Sequence, residues 1–341
     1  MARLFERIAT VLRSGLPESW HFGAAAVVTP EGQLVARLGD PRVATYLRSA
    51  AKPFQALPLV LAGGIERYGL DDADLALICA SHGGTPEHAR RAASLLERGG
   101  FSIDDLQCGA HPPMDRESAA ELQRQGTAPT PLHNNCSGKH AGMLLATQLL
   151  GMDTETYLHP SHPLQASILE HVSRVFGVPA DAIGVGIDGC SAPCYHLPIE
   201  AAARAYAALA HPRAAGLSDD VAAALERIQT AMAKAPEMVA GPGRFTTRLI
   251  AATGGRVVGK EGAEGLYGMA VRGPVALGMA IKIADGGERC RDGVVLDVLR
   301  QLGSLAAAEF ADLEDLHGPV LLNHRGIRTG EVCPEVDLDE V

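Results

Sequence analysis

Arg48-Ser49-Ala50-Ala51-Lys52 contains a Ser-x-x-Lys spacing, which is a statement about chemistry. On a helix, positions three apart share a face, so Ser49 Oγ and Lys52 Nζ can meet. A serine hydroxyl is a weak nucleophile until a base takes its proton. A lysine serves as that base when burial and neighbouring positive charge lower its pKa. The helix N-terminus adds backbone N–H groups for a developing oxyanion. Ser-x-x-Lys also occurs by chance in many chains. Here it follows a hairpin signature and opens an apolar segment, the context of serine acyl-enzymes with a lysine base, which favours function over chance.

Four further segments are dense in reactive side chains. Cys79-Ala80-Ser81-His82-Gly83-Gly84 presents Ser81 and His82 beside two glycines that permit close ligand approach. Taken alone, it reads better as a plain turn or a helix N-cap than as a site. His133-Asn134-Asn135-Cys136-Ser137-Gly138-Lys139-His140 stands immediately before an apolar helix. Capping accounts for one or two of these residues, and the others are costly to bury idle, so a site is the better reading. In Gly186-Ile187-Asp188-Gly189-Cys190, Asp188 ends a short strand, either to bind an ammonium group or as an Asx-turn residue. Cys136, Cys190 and Cys194 with nearby histidines raise the possibility of zinc, although their spacing matches no common finger. Lys260, at the end of a late strand with Gly262 two residues on, is similar to the Lys-Thr-Gly element of penicillin-recognising enzymes, or is a surface lysine at a hairpin turn.

Positioning these segments needs a scaffold. Residues 21–28 and 33–38 read as strands joined by the turn Thr29-Pro30-Glu31-Gly32. Residues 49–61 read as one buried helix with Pro53 near its start, and 75–79 as a short strand. Helical spacing follows over 86–99, 116–126, 138–150 and 163–176, then over the Ala-rich 199–210 and 219–235, with a strand candidate at 183–187. Strands return at 255–260, 266–272 and 275–284, followed by a helix over 292–310. The acidic tail, 331–341, reads as a solvated end. The economical architecture is α/β in the α+β sense: an antiparallel sheet built from both chain ends, flanked by helices, with a helical region inserted between. Residues 1–75 and 250–341 would form the sheet-containing part, and 76–249 the inserted part that carries the Cys, Lys and Asp loops.

Composition narrows the ligand. The chain has 341 residues, 47% of them apolar, with 21% charged residues and a formal net charge of −10. An acidic chain lacks the basic stripe that nucleic acid requires, and a small neutral or zwitterionic ligand suits it better. No apolar run approaches a membrane span. Aromatics are 4% while Gly numbers 38, so the core must use small and aliphatic side chains at close backbone spacing. Seven cysteines, an odd number, argue against a disulfide framework, and residues 1–20 show no apolar leader, so the expected compartment is the reducing cytoplasm.

Taken together, Arg48-Ser49-Ala50-Ala51-Lys52-Pro53-Phe54-Gln55, Cys108-Gly109-Ala110-His111-Pro112, the run from His133 through Lys139-His140-Ala141-Gly142-Met143, Ser161-His162-Pro163 and Asp188-Gly189-Cys190 resemble the L-asparaginase II family, the class 3, rhizobial-type asparaginases. The resemblance spans about residues 21–312. It implies a fold similar to serine β-lactamases and glutaminases, and hydrolysis of L-asparagine to aspartate and ammonia. It implies two Ser-Lys pairs, Ser49 with Lys52 and Ser81 with Lys260. Arg48 and Asp188, with His82 beside Ser81, are the substrate-binding candidates. Arg48 either keeps Lys52 neutral by repulsion or anchors a carboxylate. The resemblance also implies a zinc ion held by Cys136, Lys139 and Cys190 in a supporting role, no organic cofactor, and a homodimer. The rivals are a glutaminase, a β-lactamase-like serine hydrolase and, outside enzymes, a zinc-dependent amino-acid binding protein.

Overall fold

Residues 24–28, Ala-Ala-Ala-Val-Val, have no polar face to turn to water, so a strand made of them must be covered on both sides. The computed structural model, which describes residues 3–341, has that arrangement. Ala24, Ala26 and Val28 enter one hydrophobic core and Ala25 and Val27 the other, as the two-residue period of a strand requires.

The strands are β1 (Glu6–Arg13), β2 (Leu16–Val28), β3 (Leu34–Leu38), β4 (Ala44–Tyr46), β5 (Gly184–Ile187), β6 (Pro193–Pro198), β7 (Val257–Gly262), β8 (Leu266–Val271), β9 (Leu277–Ile283), β10 (Val320–Leu322), β11 (Arg328–Pro334) and β12 (Asp339–Glu340). The main sheet runs β10-β11-β1-β2-β9-β8-β7, with β3 on β2 and β12 on β3, and a second small sheet runs β4-β6-β5. The pairings are antiparallel. The fold is therefore the expected one, an antiparallel sheet built from both ends of the chain and flanked by helices.

Helices from the middle of the chain, among them Asp72–Ile78, Ser137–Leu149, Pro163–Phe176 and Ile199–Ala210, cover one face. The helix Arg291–Gln301 packs into the core on the other. The helix Ile199–Ala210 lies directly on the backbone of β9. A Cβ at Gly278 would stand 2.0 Å from the Ala207 amide nitrogen. This approach is what the small-residue composition makes possible.

Several expectations are corrected. The segment 75–78 is helical, part of Asp72–Ile78, with Cys79 at its C-cap and a capping box that joins Asp71 and Asp74. The single helix expected over 49–61 is a 3-10 turn, Arg48–Ala51, followed by two short helices, Lys52–Gln55 and Leu57–Leu61, each with a proline at its head. The helix expected over 292–310 stops at Gln301, and Gly303 takes a left-handed φ of 62°. The acidic tail is not a loose solvated end, because β11 pairs with β1 and β12 with β3. Strand β1 and the strand β6 that holds the small sheet together were not anticipated.

Strand β7 closes the main sheet, and the 3-10 turn Arg48–Ala51 packs against it. The Ser-x-x-Lys segment and the Lys260 strand are thereby neighbours, although more than 200 residues separate them in the chain. Among the described residues, no helix is long and apolar enough to cross a membrane.

Candidate active site

Lys52 and Lys260 are both about 1% exposed. A buried amine needs hydrogen-bond partners, and each lysine has them. Lys52 Nζ donates to the Ala80 carbonyl at 2.6 Å and to Ser81 Oγ at 2.9 Å. Lys260 Nζ donates to the Glu261 carbonyl at 2.8 Å. The Ser81 loop is fixed independently of these contacts, with the Ser81 N–H donating to Val239 O and the His82 N–H to Asn135 O. Lys52, expected to partner Ser49, bonds Ser81, and the side chain of Ser49 has no hydrogen bond among the described residues. Ser49 is half-buried and Ser81 is 4% exposed, so the serine with freer access is Ser49.

Lys260 is the unusual amine. Burial, helped by the nearby charges of Lys52 and Arg244 and opposed by Glu261, pulls its pKa down to about 7 from 10.5. Unlike an ordinary lysine, it therefore has an appreciable neutral fraction, able to accept a proton, at neutral pH. Glu261 is held as the carboxylate: burial alone would raise its pKa, but Lys260, Arg244 and Arg291 together lower it. Arg244 Nη2 lies 2.5 Å from Glu261 Oε1, and Arg291 Nη2 lies 3.6 Å from Oε2. This Arg–Glu–Arg arrangement was not anticipated, and the only local signal for it was the charge adjacent to Lys260. A cavity of about 360 Å³ opens between Gly83, Asp115, Gly241 and Arg244, beside the Ser81 loop.

Arg48 has a left-handed backbone, φ 49°, a strained conformation for a residue with a Cβ. Its guanidinium Nε donates to Asp188 Oδ1 at 2.8 Å. Asp188 also accepts the N–H of its immediate neighbour, Gly189, at 2.7 Å, so its carboxylate is held both by Arg48 and by its own turn. The two side chains keep 28% and 11% of their surface exposed, so the pair still faces solvent next to Ser49.

His82 is corrected. It is fully buried, and its Nδ1 accepts the Gly84 N–H at 3.1 Å. Nε2 must then carry the hydrogen, and it donates to Ser137 Oγ at 2.9 Å. Burial first, then the charges of His88 and Lys52, hold its pKa well below the usual value. With both nitrogens bonded, His82 braces the Ser81 loop against the helix Ser137–Leu149.

The dense run at 133–140 divides its work. Asn134 Nδ2 donates to the carbonyls of Cys108 and Gly109, while its Oδ1 accepts the Cys136 N–H. The helix that follows brings up Lys139, whose Nζ lies 3.0 Å from Cys190 Sγ. The Cys136 thiol, together with Lys139 and His140, holds Cys190 far below the usual thiol pKa despite its burial, and Cys136 is pushed up in turn. Burial alone would lower Lys139, but the Cys190 thiolate keeps it an ammonium.

Two sulfurs and an amine suit an ion that prefers nitrogen and sulfur donors. Among the described residues, no group of three His, Cys, Asp or Glu side chains is placed to hold a metal. A metal at this cluster therefore needs Lys139 as a nitrogen ligand, and its binding must release the lysine proton. Cys194, another sulfur considered from the sequence, lies in β6 and stays a thiol, its pKa raised by burial first and then by Asp188.

A family model described as L-asparaginase II matches residues 9–334. No curated protein shows a significant match. Among solved structures, the chain is similar to Mglu in its tris and glutamate form, at 14% identity and a TM-score of 0.46, over 83% of this chain and 59% of that one. It is similar to Mglu in its native form at 15% identity and a TM-score of 0.43, over 84% of this chain and 65% of that one. A Bacillus glutaminase in the presence of 4.3 M NaCl aligns at 14% identity and a TM-score of 0.39, over 84% and 92%. The chain thus spans less than two thirds of the length of the two Mglu structures.

Proposed function

The chain belongs to the L-asparaginase II family, and from that premise we propose that this amidohydrolase cleaves the side-chain amide of L-asparagine through an acyl-enzyme on Ser49. The observation that carries the reading is the buried pair of amines, with Lys52, three residues after Ser49, bonded to Ser81 at 2.9 Å and Lys260 pulled down to about 7. Two lysines enclosed together cannot both stay charged cheaply, so one is available as a base.

The proton of Ser49 passes to the Lys52–Lys260 pair as Oγ bonds the amide carbon. The negative charge on the carbonyl oxygen is taken by backbone N–H groups at the 3-10 turn and the outer edge of β7. The C–N bond then breaks, and the proton returns by way of Ser81 to the departing nitrogen, which leaves as ammonia. Water attacks the β-aspartyl ester, the same amines take its proton, and Ser49 is regenerated with aspartate. Arg48 and Asp188 complement the zwitterionic end of the substrate, the guanidinium taking the α-carboxylate and the carboxylate taking the α-ammonium. Zinc, when bound, would be held by Cys136, Lys139 and Cys190 and would supply a fixed positive charge that stiffens the 133–140 and 188–190 loops.

Two expected results follow from these roles. Asp188→Asn keeps the shape but loses the charge, so KM for asparagine should rise about 10-fold or more, with a smaller fall in kcat, as for a lost charge-assisted hydrogen bond. Steady-state kinetics decide this, and an unchanged KM removes Asp188 from the substrate site. For pH, the required form of Lys260 is the neutral one, which accumulates above its pKa of about 7. Turnover should therefore rise between about pH 6 and 8 and then level off. A profile that is flat or falling over that interval contradicts an amine base. The activity itself is tested by ammonia release from L-asparagine, L-glutamine and a control amide, beside hydrolysis of a chromogenic β-lactam. Asparagine should be the preferred substrate. Preference for glutamine moves the specificity, and β-lactam turnover alone sinks the amidase reading.

A further inference from the structure

His140 Nε2 is one of four buried side-chain atoms among the described residues without a hydrogen-bond partner, and it belongs to the ring beside the Cys190 sulfur. The other ring nitrogen determines what Nε2 carries. Nδ1 lies 2.7 Å from the Tyr157 hydroxyl oxygen. That oxygen accepts the Gln107 backbone N–H at 3.1 Å, and Tyr157 is fully buried. If Nδ1 bore the hydrogen, the phenol oxygen would accept twice and its own hydrogen would have nowhere to go. The phenol therefore donates to Nδ1, and Nε2 bears the hydrogen. An N–H nitrogen has no lone pair for a metal, in keeping with the absence of any third His, Cys, Asp or Glu ligand among the described residues.

This buried N–H has no hydrogen-bond partner, and the Cys190 sulfur beside it is already approached by Lys139 at 3.0 Å. We propose that His140 is a positioning residue of the metal centre: its Nε2–H donates to the Cys190 sulfur and aims that sulfur at an ion shared with Cys136 and Lys139. The proposal rests on the zinc reading above. Tyr157 is part of the same device, because its O–H fixes the tautomer. It stands edge-on to the imidazole, with ring centroids 5.7 Å apart and planes at 83°. Such outer partners govern metal affinity without touching the metal, and their loss weakens binding by about 10- to 100-fold.

The test uses full-length protein stripped of metal, titrated with zinc against a chromophoric chelator, and then loaded with cobalt(II) to read the sulfur-to-metal absorption band. Wild type should take up one zinc per chain. His140→Phe should bind zinc about 10- to 100-fold more weakly. Tyr157→Phe, which deletes one oxygen and frees the tautomer, should move affinity in the same direction. Both should shift the cobalt band, which reports the sulfur and not general stability. His140→Gln, which retains an N–H donor, should recover part of the affinity. If His140→Phe does not fold, the Tyr157 and Gln variants decide. Wild-type affinity and an unshifted band in the variants overturn the positioning role and leave the zinc reading standing. A wild type that takes up no zinc overturns both.

Discussion

Ser49→Ala should leave a folded protein with essentially no turnover, down by about 10⁴-fold or more, because a nucleophile and its base act as a unit. The side chain of Ser49 makes no hydrogen bond that the fold would miss, so its melting temperature should stay within a degree or two of wild type. Ser81→Ala is the necessary comparison. Ser81 Oγ is bonded to Lys52 and nearly buried, which suits a proton relay better than a first attacker. Its loss should slow turnover by about 10²-fold, within the ordinary range for a proton-transfer group. The reverse ranking, with Ser49→Ala active and Ser81→Ala dead, exchanges the two roles.

Lys52→Met should be almost as damaging to turnover, falling by about 10³-fold or more, and should also cost stability. The Ala80 carbonyl and Ser81 hydroxyl, both buried, would lose a shared donor, a penalty of about 1–3 kcal/mol. Lys52→Arg separates charge from chemistry. Arginine keeps a positive charge in place but cannot act as a base at any working pH, so it should be as inactive as Met. Turnover and thermal melting of the two variants decide the matter. Substantial activity in Lys52→Arg would falsify the claim that this amine moves a proton.

The sequence was most readable where chemistry and local spacing coincide. Ser49 and Lys52 stand three apart, and Lys139 follows Cys136 by the same interval at a helix start, so their proximity is local. The strands at 21–28 and 266–284 were legible because apolar β-formers are bounded by glycine turns. What escaped has no local signature. Lys52 meets Ser81 across 29 residues, and β1 meets β11 across more than 300, so the pattern of each segment is silent about its partner. The helix Asp72–Ile78 was misread because a short apolar run looks alike in a strand and in a buried helix. Its capping pair, Asp71 and Asp74, was the available clue. His82 invited a functional role by sitting beside Ser81, and only its full burial and paired nitrogens exposed it as a brace. The Glu261 cluster joins β7 to Arg244 and Arg291, three charges that no periodicity connects.

Covalent capture bears most directly on the nucleophile. Wild-type protein turning over asparagine is quenched in acid within the first cycles, and the intact mass and its peptides are read by mass spectrometry. A β-aspartyl group should be found on the peptide containing Ser49, lost on mild alkaline treatment as an ester is, and missing from Ser49→Ala. An adduct confined to Ser81, or turnover with no adduct on either serine under conditions that trap a known acyl-enzyme, would contradict the Ser49 assignment.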